Sequence, residues 1–302
     1  EAAIGRLDPI IGRDNEIDDL LEWLNRSEIG TNIILGQYGS GKTHMAHYLY
    51  WRALKEGYAV ANVELDPSEI PLNNPKKVYN RLVHNFQYMH DGKLKGFRDF
   101  VRSALNQGAL KDHLYFKHVK ISDRNNEILW DWIEGAGQAS RPMKLNRDNS
   151  YAQLPPMPST GTSANIYCNL LSSISWTAKN NFGLKGFLII LDEAEVIDMT
   201  RYGYQLNNAK NFINSLVRLS NNDSELLSSP DSTGLVYLRN GPIVPFMYKN
   251  PPNLKVAFVF TPNEALDKID CLKETSKLEL QPIGEEGLEE VLRNVQSVYN
   301  KA

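Results

Sequence analysis

The sequence predicts an α/β fold in which a mainly parallel five-stranded sheet lies between helices. Short apolar runs rich in Ile, Val and Phe alternate with longer amphipathic stretches, which is the pattern of parallel strands joined by crossover helices. Gly, Pro, Asn and Asp punctuate the boundaries between these runs and stretches. The expected strands are 32–36, 59–65, 186–192, 255–261 and 277–281.

Amphipathic periodicity places helices between these strands. Asp14, as a capping residue, and Pro75, as a first-turn proline, are typical signals for the start of a helix. Trp130 and Trp132, together with Ile128, are expected to anchor the middle region in the core. The expected helices are 14–27, 42–57, 75–90, 94–107, 123–134, 163–181, 205–220 and 284–300.

Composition excludes several classes of protein. The chain has 302 residues, of which 42% are hydrophobic and 23% charged, so it can build a core and is not intrinsically disordered. The longest apolar runs, 187–191 and 256–260, are far shorter than the about 20 residues of a membrane-spanning helix. No leader follows Glu1, and we expect a cytoplasmic protein. Cys168 and Cys271 belong to no Cys/His cluster, which argues against a zinc site.

Two stretches in the middle of the chain depart from the α/β pattern. Residues 93–120 are rich in Lys and Arg, and Lys95, Arg98 and Arg102 have the spacing of one helix face. That face could meet phosphates, or it could simply be solvated. Residues 136–162 are rich in Gly, Pro, Ser and Asn, which predicts a surface loop.

The first functional motif is a glycine-rich loop between a strand and a helix. Gly36 to Thr43 follows the pattern G-x-x-x-x-G-K-T, which is the P-loop or Walker A motif. Its backbone N–H groups surround phosphates, Lys42 bridges the outer phosphates, and the Thr43 hydroxyl binds Mg²⁺. The residues expected to contact the nucleotide are Gly36, Gln37, Tyr38, Gly39, Ser40, Gly41, Lys42, Thr43 and His44.

The second motif is an apolar strand that ends in two acids, Asp192 and Glu193. This is the Walker B pattern. Asp192 is expected to hold Mg²⁺, and Glu193 to polarise the water that attacks the γ-phosphate. Because the two motifs occur together, the sequence predicts ATP and Mg²⁺ as cofactors and ATP hydrolysis as the activity.

Two further positions flank these motifs. Asn263 follows the strand at 255–261, where it would sense the γ-phosphate or the water, or else would cap the next helix. Near the N-terminus, Ile10 and Ile11 precede a Gly-Arg-x-x-Glu box that begins at Gly12. The two isoleucines could pack on adenine, or the box could be an ordinary helix start.

These motifs resemble those of AAA+ ATPases of the Orc/Cdc6- and STAND-like group, within the ASCE branch of P-loop NTPases. A closer resemblance is to the ATP-binding proteins of BREX bacteriophage-exclusion systems, and it covers roughly residues 10–295. The residues that carry it are the stretches 36–44, 71–79, 132–135 and 183–195, together with Arg201 and Arg218.

The resemblance implies a domain organisation. Residues 1–275 would form the AAA+-like nucleotide-binding domain, with an insertion at about 90–165 between Walker A and Walker B. Residues 276–302 would hold the last strand and the start of a truncated helical lid that carries Arg293. A complete lid, a sensor 2 arginine and a winged helix are expected to be missing from this sequence.

The resemblance also implies partners. AAA+ ATPases usually take an arginine from a neighbouring subunit, and Arg239 and Arg201 are the candidates here, ahead of Arg218. We expect a homo-oligomer or a subunit of a defence complex, with duplex DNA as a further candidate partner and no membrane. Two alternatives stay open: a nucleotide-gated scaffold with little turnover, and an initiator- or transposition-type loader on duplex DNA.

Overall fold

The computed structural model describes residues 12–27, 30–119, 127–137, 143–145, 152–240 and 242–281. The predicted helix 284–300, with Arg293, lies outside these residues, as do Ile10 and Ile11. The helices are α1 (Asp14–Asn25), α2 (Lys42–Lys55), α3 (Pro75–His84), α4 (Phe97–Asn106), α5 (Glu127–Ile133), α6 (Ala164–Phe182), α7 (Gly203–Ser220), α8 (Glu264–Asp267) and α9 (Asp270–Lys273). The strands are β1 (Thr31–Gly36), β2 (Ala59–Glu64), β3 (Gln87–His90), β4 (Lys93–Gly96), β5 (Met143–Leu145), β6 (Ala152–Leu154), β7 (Phe187–Asp192), β8 (Leu254–Phe260) and β9 (Ser276–Leu280).

The main sheet has seven strands in the order β4-β3-β2-β7-β8-β1-β9. Five of them, from β2 to β9 in that order, pair in parallel and are the five strands that the sequence predicts. The prediction of a five-stranded sheet is therefore wrong by two strands, because β3 and β4 add an antiparallel hairpin beside β2. In the described part of the chain, β5 and β6 form a separate antiparallel pair inside the predicted loop 136–162.

The hairpin also shortens two predicted helices. The helix expected at 75–90 ends at His84, and the helix expected at 94–107 begins at Phe97. Asp91 and Gly92 both have positive φ, at 51° and 71°, which is the geometry of a tight two-residue hairpin turn. Burial of Tyr88 against Phe100, with ring centroids 5.6 Å apart, stabilises the strand over a helix.

The predicted basic helix face does not form as expected. Lys95 lies in β4 and not in a helix with Arg98 and Arg102. The Arg98 guanidinium pairs with Glu134 at 2.6 Å and with Glu127 at 2.8 Å, so much of its charge is neutralised within the protein. The stretch therefore offers less positive charge to a polyanion than its sequence indicates.

Helices cover both faces of the sheet and create two apolar layers. Ile33 faces the layer that contains α3, α6 and α7, and its neighbour Ile34 faces the layer that contains α1 and α2. Every residue of β1, β7 and β8 is buried, as expected for parallel strands covered on both sides. Among the described helices, none has the length and apolarity that a membrane span requires.

Candidate functional site

The strand order brings the predicted site residues to one edge of the sheet. The loop 37–41 follows β1, Asn263 follows β8, and Asp192 ends β7. Because β8 lies between β7 and β1 and all three are parallel, their carboxyl ends lie side by side. Ligands of open α/β sheets bind at such an edge.

The glycine-rich loop has the backbone conformation that its sequence requires. Gly39 and Gly41 have φ of 78° and 87°, in the left-handed region that favours glycine. Gly36 is needed for space, since a Cβ there would lie 2.2 Å from Ser40 Oγ. The loop ends at Gly41, the N-cap of α2, and no side chain in the described part of the chain caps this helix. The first amides of α2 therefore remain available to an anion.

The side chains of the loop divide into buried and exposed groups. Lys42 is 7% exposed, and its Nζ lies 3.4 Å from the Gln37 carbonyl oxygen, at the long limit of a hydrogen bond. Ser40 Oγ is buried and has no hydrogen-bond partner among the described residues. A phosphate oxygen would satisfy this hydroxyl, since buried polar groups are usually hydrogen-bonded.

The remaining predicted contacts face solvent. Gln37, Thr43 and His44 are exposed, and Tyr38 is 98% exposed. Thr43 is the second residue of α2, so its hydroxyl lies beside the open helix N-terminus. The fit of the loop to phosphate therefore depends on backbone amides, Lys42 and Ser40 more than on the exposed side chains.

Asp192 and Glu193 have different environments although they are adjacent. Asp192 is 2% exposed, and its Oδ1 accepts a hydrogen bond of 2.9 Å from the Glu193 N–H. The Leu65 N–H donates to the Asp192 carbonyl oxygen at 2.9 Å, which fixes the end of β7 against β2. Glu193 is only partly buried and has φ of 57°, a left-handed conformation that costs a non-glycine residue about 1–3 kcal/mol.

The pKa of Glu193 is raised above its ordinary value. Burial is the main cause, followed by the negative charges of Glu195 and Asp192, and a hydrogen bond with the Glu195 side chain adds to the effect. The positive charge of Lys42 opposes the shift. A raised pKa makes the carboxylate a stronger base for the proton of water.

Arg13 is a site residue that the sequence does not reveal as such. Its side chain is buried at the N-terminus of α1, where Nη2 donates to the carbonyl oxygens of Ser40 at 2.6 Å and Gln281 at 2.7 Å. Nη1 donates to Glu16 at 2.9 Å. The Gly-Arg-x-x-Glu box marks Arg13 and Glu16, but contacts this distant along the chain cannot be seen in a local pattern. Asp14, the expected cap, is the first residue of the helix, and Arg13 occupies the N-cap position.

The other predicted residues are exposed or are engaged elsewhere. Asn263 is exposed at the end of β8. Arg201 and Arg239 are exposed, and Arg201 lines a groove of about 710 Å³ beside the stacked rings of Tyr202 and Tyr204. Arg218 donates to Asp223, Glu225 and the Thr233 carbonyl oxygen, so its guanidinium has a structural role.

Parts of the chain match known ATP-binding proteins. The profile of the family described as "BREX system ATP-binding protein BrxC/D" matches residues 5–112, which include α1, the glycine-rich loop and α2. The "ATP-dependent Clp protease ATP-binding subunit ClpE" of Bacillus subtilis (strain 168) is 27% identical over 146 residues, which are 47% of this chain and 17% of ClpE.

Shorter similarities extend to Clp-type chaperones. "Chaperone protein ClpB 2" of Parasynechococcus marenigrum (strain WH8102) is 44% identical over 52 residues, or 17% of this chain and 6% of the relative. "Chaperone protein ClpB" of Bdellovibrio bacteriovorus is 40% identical over 55 residues, which are 18% of this chain and 6% of the relative. The chain thus spans a small part of the length of these curated relatives. It is a P-loop α/β protein similar to Clp-type AAA+ ATPases, and over residues 5–112 it matches the BREX ATP-binding family, as the sequence predicts.

Proposed function

We propose that this chain binds ATP with Mg²⁺ and hydrolyses it, as an AAA+-like module of a prokaryotic BREX-like phage-defence complex. The observation that carries the proposal is that the glycine-rich loop after β1 and the acids Asp192 and Glu193 at the end of β7 lie at the same edge of the sheet. The match to the BREX ATP-binding family supports the biological setting.

The phosphates of ATP would bind at the start of α2. The amides of the loop and of the first helical turn donate to phosphate oxygens, and Lys42 adds a positive charge between the outer phosphates. Ser40 Oγ, buried and without a partner among the described residues, would donate to the same group. Together these groups fit a polyphosphate.

Thr43 and Asp192 would hold the metal ion at this edge. In phosphate sites Mg²⁺ takes one or two protein ligands together with phosphate oxygens and water, and it neutralises the charge that develops during transfer. A threonine hydroxyl on α2 and a buried carboxylate at the end of β7 are ligands of the right kind.

Glu193 would act as the general base. Water attacks the γ-phosphorus in line with the bond to the leaving ADP, that bond breaks, and the Glu193 carboxylate accepts the proton of the water. Asn263, which follows the neighbouring strand β8, would orient the water or the γ-phosphate through its side-chain amide. The products are ADP and phosphate, and the base is regenerated when it releases the proton.

The proposed module would work in an assembly. We assign residues 1–275, with the insertion at about 90–165, to the nucleotide-binding domain and residues 276–302 to the last strand and the start of a lid. Arg201 and Arg239 are exposed, as an arginine that acts on a neighbouring subunit must be. We propose a homo-oligomer or a defence-complex subunit on this basis, and a cytoplasmic location and a duplex-DNA partner stay predictions.

A nucleotide-gated scaffold is the second candidate. Burial and the negative charges of Glu195 and Asp192 raise the pKa of Glu193, and a base that is protonated more readily favours slow turnover. In such a scaffold ATP would stabilise an assembly without being rapidly consumed.

Steady-state ATP turnover separates the two. We expect Glu193→Gln to reduce turnover by about 100-fold or more, since general-base catalysis contributes about 10²–10⁴-fold. Glu69→Gln, which changes an exposed carboxylate in the loop after β2, is the matched control and should not alter the rate. The assay is repeated at several protein concentrations and with duplex DNA, because an assembling or DNA-linked ATPase will accelerate. Equal turnover by wild type and Glu193→Gln under every condition would favour the scaffold.

A further inference from the structure

Arg13 connects three separate parts of the chain through a single buried guanidinium. Its side chain is 3% exposed, and its two terminal nitrogens reach the Glu16 carboxylate, the Ser40 carbonyl oxygen and the Gln281 carbonyl oxygen. Burying an arginine is costly unless it is paired and hydrogen-bonded. Glu16 supplies the charge, and the two carbonyl groups supply the hydrogen bonds.

The contact with Ser40 fixes the orientation of a peptide group in the phosphate loop. A trans peptide is planar, and its C=O and N–H point in opposite directions. Because the Ser40 carbonyl points to Arg13, the N–H of Gly41 must point away from the guanidinium. Gly41 is the N-cap of α2, and amides at this position bind anions.

The contact with Gln281 joins the same loop to the end of the sheet. Gln281 directly follows β9, and in the register of β9 with β1, Leu280 is opposite Gly36. One nitrogen, Nη2, therefore donates both to the phosphate loop and to the residue at which the chain leaves the sheet. A shift of the loop on nucleotide binding would therefore change the hydrogen bond between Arg13 and the Gln281 carbonyl oxygen.

We propose that Arg13 is a positioning residue of the nucleotide site: it aims the Gly41 N–H at the phosphates and couples the phosphate loop to Gln281 at the end of β9. This inference rests on the proposed nucleotide binding. A purely structural Arg13 would affect folding stability alone, whereas a positioning Arg13 affects nucleotide affinity in the folded protein.

The test compares Arg13→Gln and Arg13→Lys with Arg26→Gln, a control at the end of α1 whose partner is the exposed Glu22. The probe is Mg-ADP, titrated into the full chain, with the apo melting temperature measured in parallel. We expect Arg13→Gln to weaken ADP binding about tenfold or more, as for loss of charge-assisted hydrogen bonds. Arg13→Lys should recover part of the affinity, since one ammonium can reach one of the two carbonyl groups.

Hydrogen exchange provides the second readout. ADP should slow amide exchange at residues 276–281 in wild type, and this protection should be lost in Arg13→Gln if the coupling is real. If Arg13→Gln does not fold, Glu16→Gln replaces it, because it loosens the guanidinium while keeping both carbonyl contacts, and we expect affinity to fall about threefold.

The outcomes are distinct. If wild type binds no ADP, the proposed function fails. If wild type binds ADP and the folded Arg13 or Glu16 variants bind it within the error of the control, Arg13 is structural and the inference is overturned. A lower melting temperature with unchanged affinity would likewise mean that Arg13 is structural.

Discussion

The five parallel strands and the region between β2 and β7 differ in how closely their structure follows the sequence pattern and in whether they carry the candidate site. We call the five parallel strands β2, β7, β8, β1 and β9 the core sheet. Its strands form where the sequence predicts them. Every predicted catalytic residue follows or ends one of these strands. Residues 85–163 overlap the proposed insertion at about 90–165, and we call them the inserted region. Here a hairpin replaces parts of two predicted helices, and the described buried groups pack against one another. The core sheet carries the candidate site, and the inserted region carries much of the aromatic packing.

We expect the greatest change in the free energy of unfolding from a substitution in the inserted region. Trp132 is 1% exposed, lies 6.0 Å from Tyr115 between ring centroids, and donates from Nε1 to the Pro155 carbonyl oxygen at 3.0 Å. Trp132→Ala should lower the free energy of unfolding by about 3–5 kcal/mol. Ile128 lies on the same helix, but it is 59% exposed, so the prediction that it anchors the core is wrong. Ile128→Ala is therefore the control and should change the free energy of unfolding by less than about 0.5 kcal/mol. Denaturant titrations measure both, and equal effects would show that the inserted region is not packed as described.

The next effect concerns nucleotide binding at the edge of the core sheet. Lys42→Ala should weaken Mg-ATP binding by about 100-fold with little loss of stability, because among the described residues its Nζ has only one long contact, to Gln37. Lys55→Ala, an exposed lysine at the end of the same helix, is the control. Calorimetric titration of both variants gives the affinities. Unchanged binding by Lys42→Ala would show that the lysine of the glycine-rich loop does not bind the phosphates of ATP.

A third effect is the response of the inserted region to acid. Burial lowers the pKa of His113 to about 3, so its neutral form is favoured in the folded state and protonation is favoured in the unfolded state. Its stabilising contribution is complete above pH 6.5 and is lost as the pH falls toward 3. At pH 5 the loss is about 2 kcal/mol.

His113→Gln should remove this component of the pH dependence. The free energy of unfolding, measured between pH 7 and pH 5, will fall less steeply in the variant than in wild type. His84, exposed on α3, provides the control through His84→Gln, which should keep the wild-type slope. The same slope in His113→Gln and wild type would contradict the buried neutral imidazole.

The smallest effect is on the pH profile of turnover. Glu195 raises the pKa of Glu193 by its charge and its hydrogen bond, so Glu195→Gln should lower the pKa of the base. A general base must be deprotonated, and the acidic limb of kcat should therefore move to lower pH in the variant. A limb that stays in place, or moves to higher pH, would mean that another group titrates.

The same contrast explains which parts of the site can be predicted from sequence. The glycine-rich loop and Asp192–Glu193 are local patterns in which neighbouring residues perform one task, so their identity and spacing are informative. The role of Arg13 depends on carbonyl groups of Ser40 and Gln281, which only the fold brings near. A backbone carbonyl acceptor cannot be recognised in a sequence, because every residue has a backbone carbonyl group.

The hairpin escapes prediction for a related reason. Strands of four residues contain too few alternations to be separated from a helix, and Pro75 and the apolar spacing that follows it favour a long helix. The decisive contacts, such as that between Tyr88 and Phe100, depend on tertiary packing. The long apolar strands of the core sheet need no such information, since burial on both faces makes them continuous apolar runs.

The role of Glu193 as the general base of ATP hydrolysis is tested most directly by the identity of the nucleotide that remains bound after incubation with Mg-ATP. Wild type and Glu193→Gln are mixed with ATP, freed of excess nucleotide, denatured and analysed by chromatography. If Glu193 is the base, wild type will carry ADP and Glu193→Gln will carry ATP at the same stoichiometry. If both proteins carry ATP, or both carry ADP, Glu193 does not activate the attacking water.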